Sequence, residues 1–227
     1  MYLYELHCHT AESSRCAKTS AAQMVRFYKE QGYSGLCVTD HFLNGNTAVD
    51  LSLPWEEQVA AFCRGYDAAR EEGEKVGIDV YFAWEYTYCQ KGNDFLTYGL
   101  DRDWLLRHPD CLTWPFREYC QRVQADGGLI IHAHPFREDW YIDMIRLCPD
   151  LVDGVETVNA CRKPRENQMA ELYADFYRLP RLAGSDNHTG PQRLLAAMGF
   201  PSPKGSLMEI LKSALAGEGE LLLFPPR

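Results

Sequence analysis

The sequence has 227 residues, a net charge of −9, and the hydrophobic (46%) and charged (24%) shares of an ordinary globular domain. It contains no run of lysines or arginines, which argues against binding long nucleic acid through many phosphate contacts. The nine cysteines form no C-x-x-C pair, so we expect no disulfide scaffold or zinc ribbon but a reducing, cytoplasmic environment. No apolar leader is recognisable, and GELLLFPPR is too short to span a bilayer, so no membrane partner is expected.

Strands and helices are predicted in alternation along the chain. Apolar runs predict strands, in chain order, at YLYELHCH, GLCVTDH, DVYFAWEY, FLTYGL, GGLIIHAHP, DGVETVNA and PRLAGSDNH, with a last strand in GELLLFPP. Helical spacing predicts helices over 19–32, 55–73, 116–126, 140–147, 165–177 and 206–216. The first helix has clear ends, because Ser20 and Gln23 form a capping pattern and Gly32 follows its last turn.

This alternation predicts an α/β fold in which helices cover a parallel sheet. The chain is slightly shorter than a typical eight-fold (β/α) barrel, which favours a reduced or distorted barrel. An open, doubly wound sheet is the alternative, but no G-x-G-x-x-G motif or P-loop follows any predicted strand. No linker, repeat or low-complexity segment interrupts the pattern, so a single domain over 1–227 is expected.

Histidines and acidic residues gather where the predicted strands end. In chain order they are His7, His9, Asp40, His41, Glu85, His132, His134, Glu156, Asp186 and His188. The C-terminal strand ends of a (β/α) barrel form one face, and residues at i and i+2 point to the same side of a strand. We therefore expect these side chains to converge at one end of the barrel.

Metal binding explains this set better than core packing does. A lone histidine on an apolar strand is more often a hydrogen-bonded core residue than a ligand. Glu85, between Trp84 and Tyr86, is costly to bury unless it is paired or bound to a metal. Divalent cations remove this cost for the whole set, because they bind neutral imidazoles and ionised carboxylates.

Five sequence features resemble, in order, those of the PHP (polymerase and histidinol phosphatase) family: ELHCHT, VTDH, the lone Glu85, AHPFR and GSDNH. The resemblance implies a distorted (β/α)7 TIM-like barrel. It also implies two or three divalent metal ions, which could be zinc, manganese or iron, and the hydrolysis of phosphoesters.

The resemblance also implies roles for individual residues. The expected ligands are, for one ion, His7, His9, Glu85 and Asp186, for a second ion, Glu85 and His134, and for a third ion, His41 and His188. Asp186 or His188 is the expected catalytic proton relay. Asp40 is expected to orient ligands from behind, because neighbours on a strand face opposite ways.

Four further positions extend or depart from the family pattern. Many relatives carry Asp or His five or six residues after the H-x-H pair, and Glu12 is the nearest carboxylate that could serve there. Asp94, in DFLTYGLD, stands where many relatives have His and is expected to bind a metal through oxygen. His132 and Glu156 are either ligands or supports of the ligands.

Arginines near these motifs are expected to bind phosphate. Arg137 directly follows HAHPF, Arg162 lies in CRKPR, and Arg15 lies in the first loop. The planar guanidinium group matches phosphate oxygens. A solvated surface charge is the alternative reading for each of them.

The expected function is a metal-dependent phosphoesterase that hydrolyses a small phosphomonoester or short nucleotide with metal-activated water. No G-x-S-x-G elbow supports acyl transfer by a serine nucleophile. Three alternatives stay open: a nuclease acting on nucleic-acid ends, a non-catalytic metal-binding regulatory domain, and a hydrolase of non-phosphate bonds. The sequence leaves the substrate, the metals and the oligomeric state open.

Overall fold

The computed structural model describes residues 1–89 and 92–227, and these form a nine-stranded sheet flanked by helices. The strands are β1 (Tyr2–Cys8), β2 (Gly35–Val38), β3 (Asp79–Tyr88), β4 (Asn93–Tyr98), β5 (Leu129–His132), β6 (Gly154–Asn159), β7 (Arg181–Gly184), β8 (Leu195–Phe200) and β9 (Glu220–Phe224). The helices are α1 (Ala21–Glu30), α2 (Trp55–Phe62), α3 (Arg64–Val76), α4 (Arg102–Arg107), α5 (Phe116–Ala125), α6 (Pro164–Tyr177) and α7 (Leu207–Leu215). A short 3₁₀ turn covers Pro149–Leu151.

Strands β1 to β7 follow one another around a nearly closed barrel, which confirms the predicted distorted TIM-like fold. The barrel closes beyond the end of β7, where His9 N donates to Asn187 O (2.9 Å) and Asn187 N donates to His7 O (3.3 Å). Strand β8 pairs with the first half of β1, at Tyr2–Tyr4, and β9 pairs with β8. The carboxyl ends of β1 and β7 therefore meet at the same rim.

Two features of the sheet differ from the prediction. Strand β4 runs antiparallel to both β3 and β5, so it begins, rather than ends, at the rim where its parallel neighbours end. Strand β8, with the sequence LAAMGF, was not predicted, because its small residues carry little β propensity.

The helices agree with the prediction at most positions. Ser20 caps α1 together with Gln23, as predicted. The helix predicted over 55–73 is instead broken at Cys63. The hydroxyl group of Ser13 causes the break, because it donates to Phe62 O (2.7 Å) and accepts from Gly65 N (3.2 Å).

The helix predicted over 140–147 is wrong. These residues form turns and irregular chain, and Trp140, Met144 and Ile145 are exposed. An amphipathic helix is stabilised mainly by packing of its apolar face, and these side chains have no such surface to cover.

Candidate metal centre

Glu85, near the end of β3, is the centre of a buried cluster of imidazoles. Its Oε2 lies 2.6 Å from His41 Nδ1, and its Oε1 lies 3.1 Å from His134 Nε2 and 3.4 Å from His7 Nε2. The Glu85 side chain is only 1% exposed. A carboxylate with several imidazoles at ligand distance and no access to water is typical of a bridging metal ligand.

Asp186, just after β7, faces His7 and His9 across the seam where β1 and β7 meet. Its Oδ1 lies 3.4 Å from His9 Nε2 and 3.6 Å from His7 Nε2. His188 Nδ1 lies 3.5 Å from the same oxygen and 2.9 Å from the carbonyl oxygen of Asp186. His7 and His9 thus have Glu85 and Asp186 on either side, as one four-ligand site requires.

The charges of these groups depend strongly on one another. Burial would raise the pKa of Glu85, but His41 and hydrogen bonds from His134 outweigh it and hold this pKa well below its usual range. Burial likewise would raise the pKa of Asp186, but His7 and His9 lower it well below its usual range. Burial, with His188 and His41 nearby, lowers the pKa of His9 well below its usual value. The pKa values of His7 and His41 shift the other way: despite burial, Glu156 raises that of His7 and Glu85 raises that of His41, both well above the usual value. A cation would have to displace the protons of these two rings, because metals bind neutral imidazoles and ionised carboxylates.

Several ligand-type atoms in the cluster have no hydrogen-bond partner among the described residues. These buried atoms are His7 Nε2, His9 Nε2, His41 Nδ1 and Glu85 Oε2. Buried polar atoms without partners are rare in proteins, and a bound ion is one of their regular explanations. The donor set therefore fits divalent cations.

Within the described part of the chain, four sets of three side chains bring ligand atoms within 4.8 Å of one another. They are His7, His9 and Glu85; Glu85, Asp94 and His134; His9, His41 and His188; and His7, His134 and Glu156. Imidazole and carboxylate ligands suit zinc, manganese or iron. The first three sets each contain residues that the sequence motifs assign to one of three ions, although Asp186 is absent from the first set and His9 is added to the third.

The backbone is strained at two residues of the cluster. His134 has a φ of 28° and Asp186 a φ of 52°, in the left-handed region that non-glycine residues rarely adopt. Such strain persists only where the surroundings enforce it, and it is concentrated at functional sites. The turn at His134 directs this side chain into the cluster just beyond the end of β5.

Glu156, on β6, holds two of the histidines in place. Its Oε1 lies 2.9 Å from His7 Nδ1, and its Oε2 accepts from His134 N at 3.1 Å and from Asn159 Nδ2 at 2.8 Å. A carboxylate on the distal ring nitrogen of a ligating histidine fixes the ring and raises its basicity. Of the two roles that the sequence left open for Glu156, ligand or support, this geometry favours support.

Asp40 anchors the loop that follows β1. It accepts from Thr10 N (2.6 Å), from the Thr10 hydroxyl (2.6 Å) and from the Ser14 hydroxyl (2.7 Å). Ser14 Oγ in turn accepts from His41 N at 2.9 Å and lies 3.2 Å from His9 Nδ1. Burial is the main cause that raises the pKa of Asp40 to about 6, despite these hydrogen bonds. Asp40 orients His9 and His41 through Ser14.

Asp94 reaches the cluster because β4 is antiparallel. It is the second residue of β4, and Oδ1 accepts from the Thr87 hydroxyl at 2.7 Å. Its ligand atom lies with those of Glu85 and His134. Burial and the charge of Glu85 raise the pKa of Asp94 above its usual value.

An open cleft of about 810 Å³ lies over the cluster. Its lining includes His41, Asp94, Asp186 and His188 together with Arg137 and Arg162. Arg137 NH1 lies 3.8 Å from Asp94 Oδ2, and Arg162 NH2 lies 3.5 Å from Asp186 Oδ2. Two partly exposed guanidinium groups therefore lie at the mouth of the histidine–carboxylate cluster.

The overall structure is similar to those of three solved proteins. A two-domain protein from Bacteroides vulgatus containing a predicted PHP-like metal-dependent phosphoesterase gives a TM-score of 0.70 at 16% identity over 98% of this chain. This chain spans only 65% of that protein. The chain has the PHP fold.

Two further similar structures have functional names that differ from each other. A protein from Bifidobacterium adolescentis described as a metal-dependent phosphoesterase gives a TM-score of 0.58 at 15% identity, over 94% of this chain and 95% of that one. An amidohydrolase from Chromobacterium violaceum with bound sulfate gives a TM-score of 0.58 at 14% identity, over 82% and 87% of the two chains. No protein-family model and no curated protein matches the sequence. At identities of 14–16%, these structural similarities show the fold alone, and the activity has to be argued from the site.

Three of the residues predicted for the site lie elsewhere in this PHP fold. The Glu12 carboxylate accepts from Ala21 N at 2.9 Å, so it caps the start of α1 and does not complete a third metal site. The His132 ring stacks on Phe95, with ring centres 4.5 Å apart, and so belongs to the core behind β5. Arg15 is exposed and lines an adjoining depression with Asn46, outside the cleft.

The prediction missed Ser14, Asn159 and Cys16. Ser14 and Asn159 connect the ligands to their supports, and nothing in their residue type signals this role. Cys16 lies at the rim, with Sγ 3.2 Å from His41 Nε2. Burial would raise the pKa of the Cys16 thiol, but His188 and His41 outweigh it and lower this pKa to about 6. The position of Cys16 soon after the H-x-H pair is the signal that could have identified it.

No helix within residues 1–89 and 92–227 has the length and apolar character needed to cross a membrane.

Proposed function

We propose that this protein is a metal-dependent phosphoesterase that hydrolyses a small phosphomonoester or short nucleotide. The observation that carries the proposal is the joint placement of a buried histidine–carboxylate cluster and two guanidinium groups in one cleft. The cluster supplies ligands for cations, and the arginines supply donors for phosphate oxygens.

The ligands divide into three positions. One ion would be held by His7, His9, Glu85 and Asp186, a second by Glu85, Asp94 and His134, and a third by His41 and His188. Divalent ions held in this way lower the pKa of water towards neutrality and offset the negative charge of a phosphoryl group. The harder oxygen ligand Asp94 favours manganese or iron at the second position.

The chain's own residues would bind and orient the substrate. The Nε atoms of Arg137 and Arg162 are buried and have no hydrogen-bond partner among the described residues. Charge-assisted hydrogen bonds from guanidinium to phosphate would hold the phosphoryl group over the cluster. Asp186, whose Oδ2 lies 3.5 Å from Arg162 NH2, would accept a proton from the attacking water.

The substrate we propose is small. The cleft of about 810 Å³ is in the range of small-molecule sites. The net charge of −9 disfavours long nucleic acid, although a nuclease acting on strand ends would need only a few contacts. We also propose a cytoplasmic location, because nine unpaired cysteines suit a reducing compartment.

A second candidate is the hydrolysis of an amide or ester bond with the same ions. The amidohydrolase from Chromobacterium violaceum, which shares the fold, is the observation that favours it. The two arginines are the feature that favours phosphate, since a neutral amide needs no paired guanidinium groups.

One experiment separates these functions. The purified protein is stripped with a chelator, reloaded with zinc, manganese or iron, and its bound metals are counted. It is then assayed on an aryl phosphate, sugar phosphates, nucleotides, short oligonucleotides and aryl esters and amides. We expect metal-dependent release of phosphate, which is lost in His9→Ala and retained in His108→Ala, whose imidazole lies near Asp126, outside the cluster. Hydrolysis that persists in His9→Ala, or full metal occupancy with no hydrolysis of any phosphoester, would count against the proposal.

A further inference from the structure

Cys16 lies beside the two histidines of the third metal position. Its Sγ is 3.2 Å from His41 Nε2, and His188 lines the same cleft. Cys16 is partly buried and lines the cleft over the cluster. The third position therefore has sulfur within reach as well as two imidazoles.

The surrounding rings leave a pocket of the right size for an ion. The ring centres of His41 and His188 are 5.7 Å apart. Two imidazoles on one tetrahedral ion place their ring centres roughly 5 Å apart, and a thiolate and an imidazole place their donor atoms about 3.5 Å apart. The observed 5.7 Å between the ring centres and 3.2 Å between Cys16 Sγ and His41 Nε2 are close to these two values.

We propose that Cys16, His41 and His188 form a thiolate-containing site that selects zinc over manganese. The inference rests on the proposed function, whose third ion it defines. The PHP motifs suggest Asp or His five or six residues after the H-x-H pair, where this chain has Ser14 and Arg15, and Cys16 follows directly. Thiolate ligands favour soft ions such as zinc, and oxygen ligands favour manganese.

The position of Cys16 distinguishes this site from the other two ions. Glu85 and Asp94 offer only oxygen to the second position, whereas Cys16 Sγ lies 3.2 Å from Nε2 of His41 at the third. Within the described residues, the four sets with ligand atoms within 4.8 Å of one another contain no sulfur, so an ion at the third position would have to draw Cys16 towards His41 and His188. The protein would therefore hold chemically different ions side by side, with zinc at the rim and a harder ion deeper in the barrel.

A rival reading makes Cys16 a nucleophile. His41 Nδ1 lies 2.6 Å from Glu85 Oε2, so Cys16, His41 and Glu85 form a line of three groups like that of a thiol hydrolase. The ligand atoms of His9, His41 and His188 lie within 4.8 Å of one another, which a thiol nucleophile does not require. This observation favours the metal site.

Cobalt substitution tests the proposal without any assay of activity. The stripped full-length protein is loaded with Co²⁺, and its near-ultraviolet spectrum is recorded. We expect a thiolate-to-cobalt charge-transfer band that is lost in Cys16→Ser. The band should persist in Cys161→Ser, because Cys161 Sγ instead donates to Asp186 O at 3.3 Å. Circular dichroism checks that each variant is folded.

Metal counting provides the second readout. In Cys16→Ala we expect the loss of one zinc per chain, with affinity at that position reduced by at least roughly 100-fold, since even supporting residues are worth 10–100-fold. Cys16→Asp should restore the third ion but shift its preference towards manganese. A band that survives Cys16→Ser, or zinc occupancy unchanged in Cys16→Ala, overturns the proposal. Because neither readout uses a substrate, failure of the phosphoesterase assay would leave this result intact.

Discussion

His7 Nδ1 lies 2.9 Å from Glu156 Oε1, while the opposite ring nitrogen, Nε2, faces Glu85 and Asp186. A neutral imidazole that donates its Nδ1 proton to a carboxylate keeps a lone pair on Nε2. The contact between His7 and Glu156 therefore favours both the ring orientation and the tautomer of His7 that a metal ion needs.

Replacement of Glu156 by Gln should weaken metal binding without removing a direct ligand of the first ion. Loss of the negative charge behind His7 should reduce affinity by roughly 10–100-fold, measured by competition with a chromophoric chelator. Glu72→Gln is the matched control, because Glu72 is also buried but pairs with Arg26. Unchanged affinity in Glu156→Gln would show that the contact does not tune the site.

Arg137→Met should raise the KM for a phosphoester. The change keeps the length of the side chain but removes a charged donor, and a hydrogen bond to a charged group is worth about 1.5–3 kcal/mol, or roughly 10–100-fold. Arg122→Met on α5, where Arg122 pairs with Glu118, should leave KM unchanged. Equal KM values for all three proteins would exclude Arg137 from substrate binding.

His132→Phe should make the metal-free protein more resistant to acid. Burial and the nearby His134 lower the pKa of His132 to about 3, against 6.5 for an exposed histidine. Between these values the unfolded chain binds a proton that the folded chain does not, so the wild type loses stability as pH falls, by about 1.4 kcal/mol per unit. Phenylalanine removes this loss and suits the stacking on Phe95.

The measurement is urea unfolding in a chelator at several pH values between about 3 and 7. The gap between His132→Phe and wild type should widen as the pH falls. Metal affinity at neutral pH should be unchanged, because His132 packs away from the cluster. A large loss of bound metal in His132→Phe would restore the view of His132 as a ligand.

Gly184→Ala, at the end of β7, should lower both the stability of the protein and its affinity for metal ions. A Cβ atom there would lie 2.5 Å from His7 Cβ and would also clash with Glu156 Oε1. Overpacking of this kind costs about 1–3 kcal/mol, and the displaced His7 should bind metal less well. Gly205→Ala is the control, because its new Cβ would meet only Glu209 Oε2, at 3.4 Å. Equal stability and metal affinity in the two variants would contradict this account.

The sequence predicts the ligands better than their supports. His7 lies near the end of β1, His9 follows β1 and Asp186 follows β7, all strands with clear apolar patterns, and the barrel places strand ends together. His132 was misread because the chain turns sharply after β5, so that His132 and His134 do not share a face as strand alternation requires. Glu12 was misread because a carboxylate near a helix start can serve as a cap as well as a ligand.

Other differences arise from long-range packing. The break between α2 and α3 depends on Ser13, some fifty positions earlier in the chain. The direction of β4 depends on its pairing with β3 and β5, and it decides that Asp94 arrives at the rim. Local periodicity carries no information about such partners.

Closure of the barrel also has a consequence for biosynthesis. Glu5 and Ser185, which hydrogen-bond beneath the centre, are 180 positions apart, and His7 meets Asn187 at the seam. Domains emerge from the ribosome with the N-terminus first, and contacts between distant positions form late. His7 and His9 are thus made well before Asp186, so that binding of a cation by all of these side chains together would have to follow translation of Asp186.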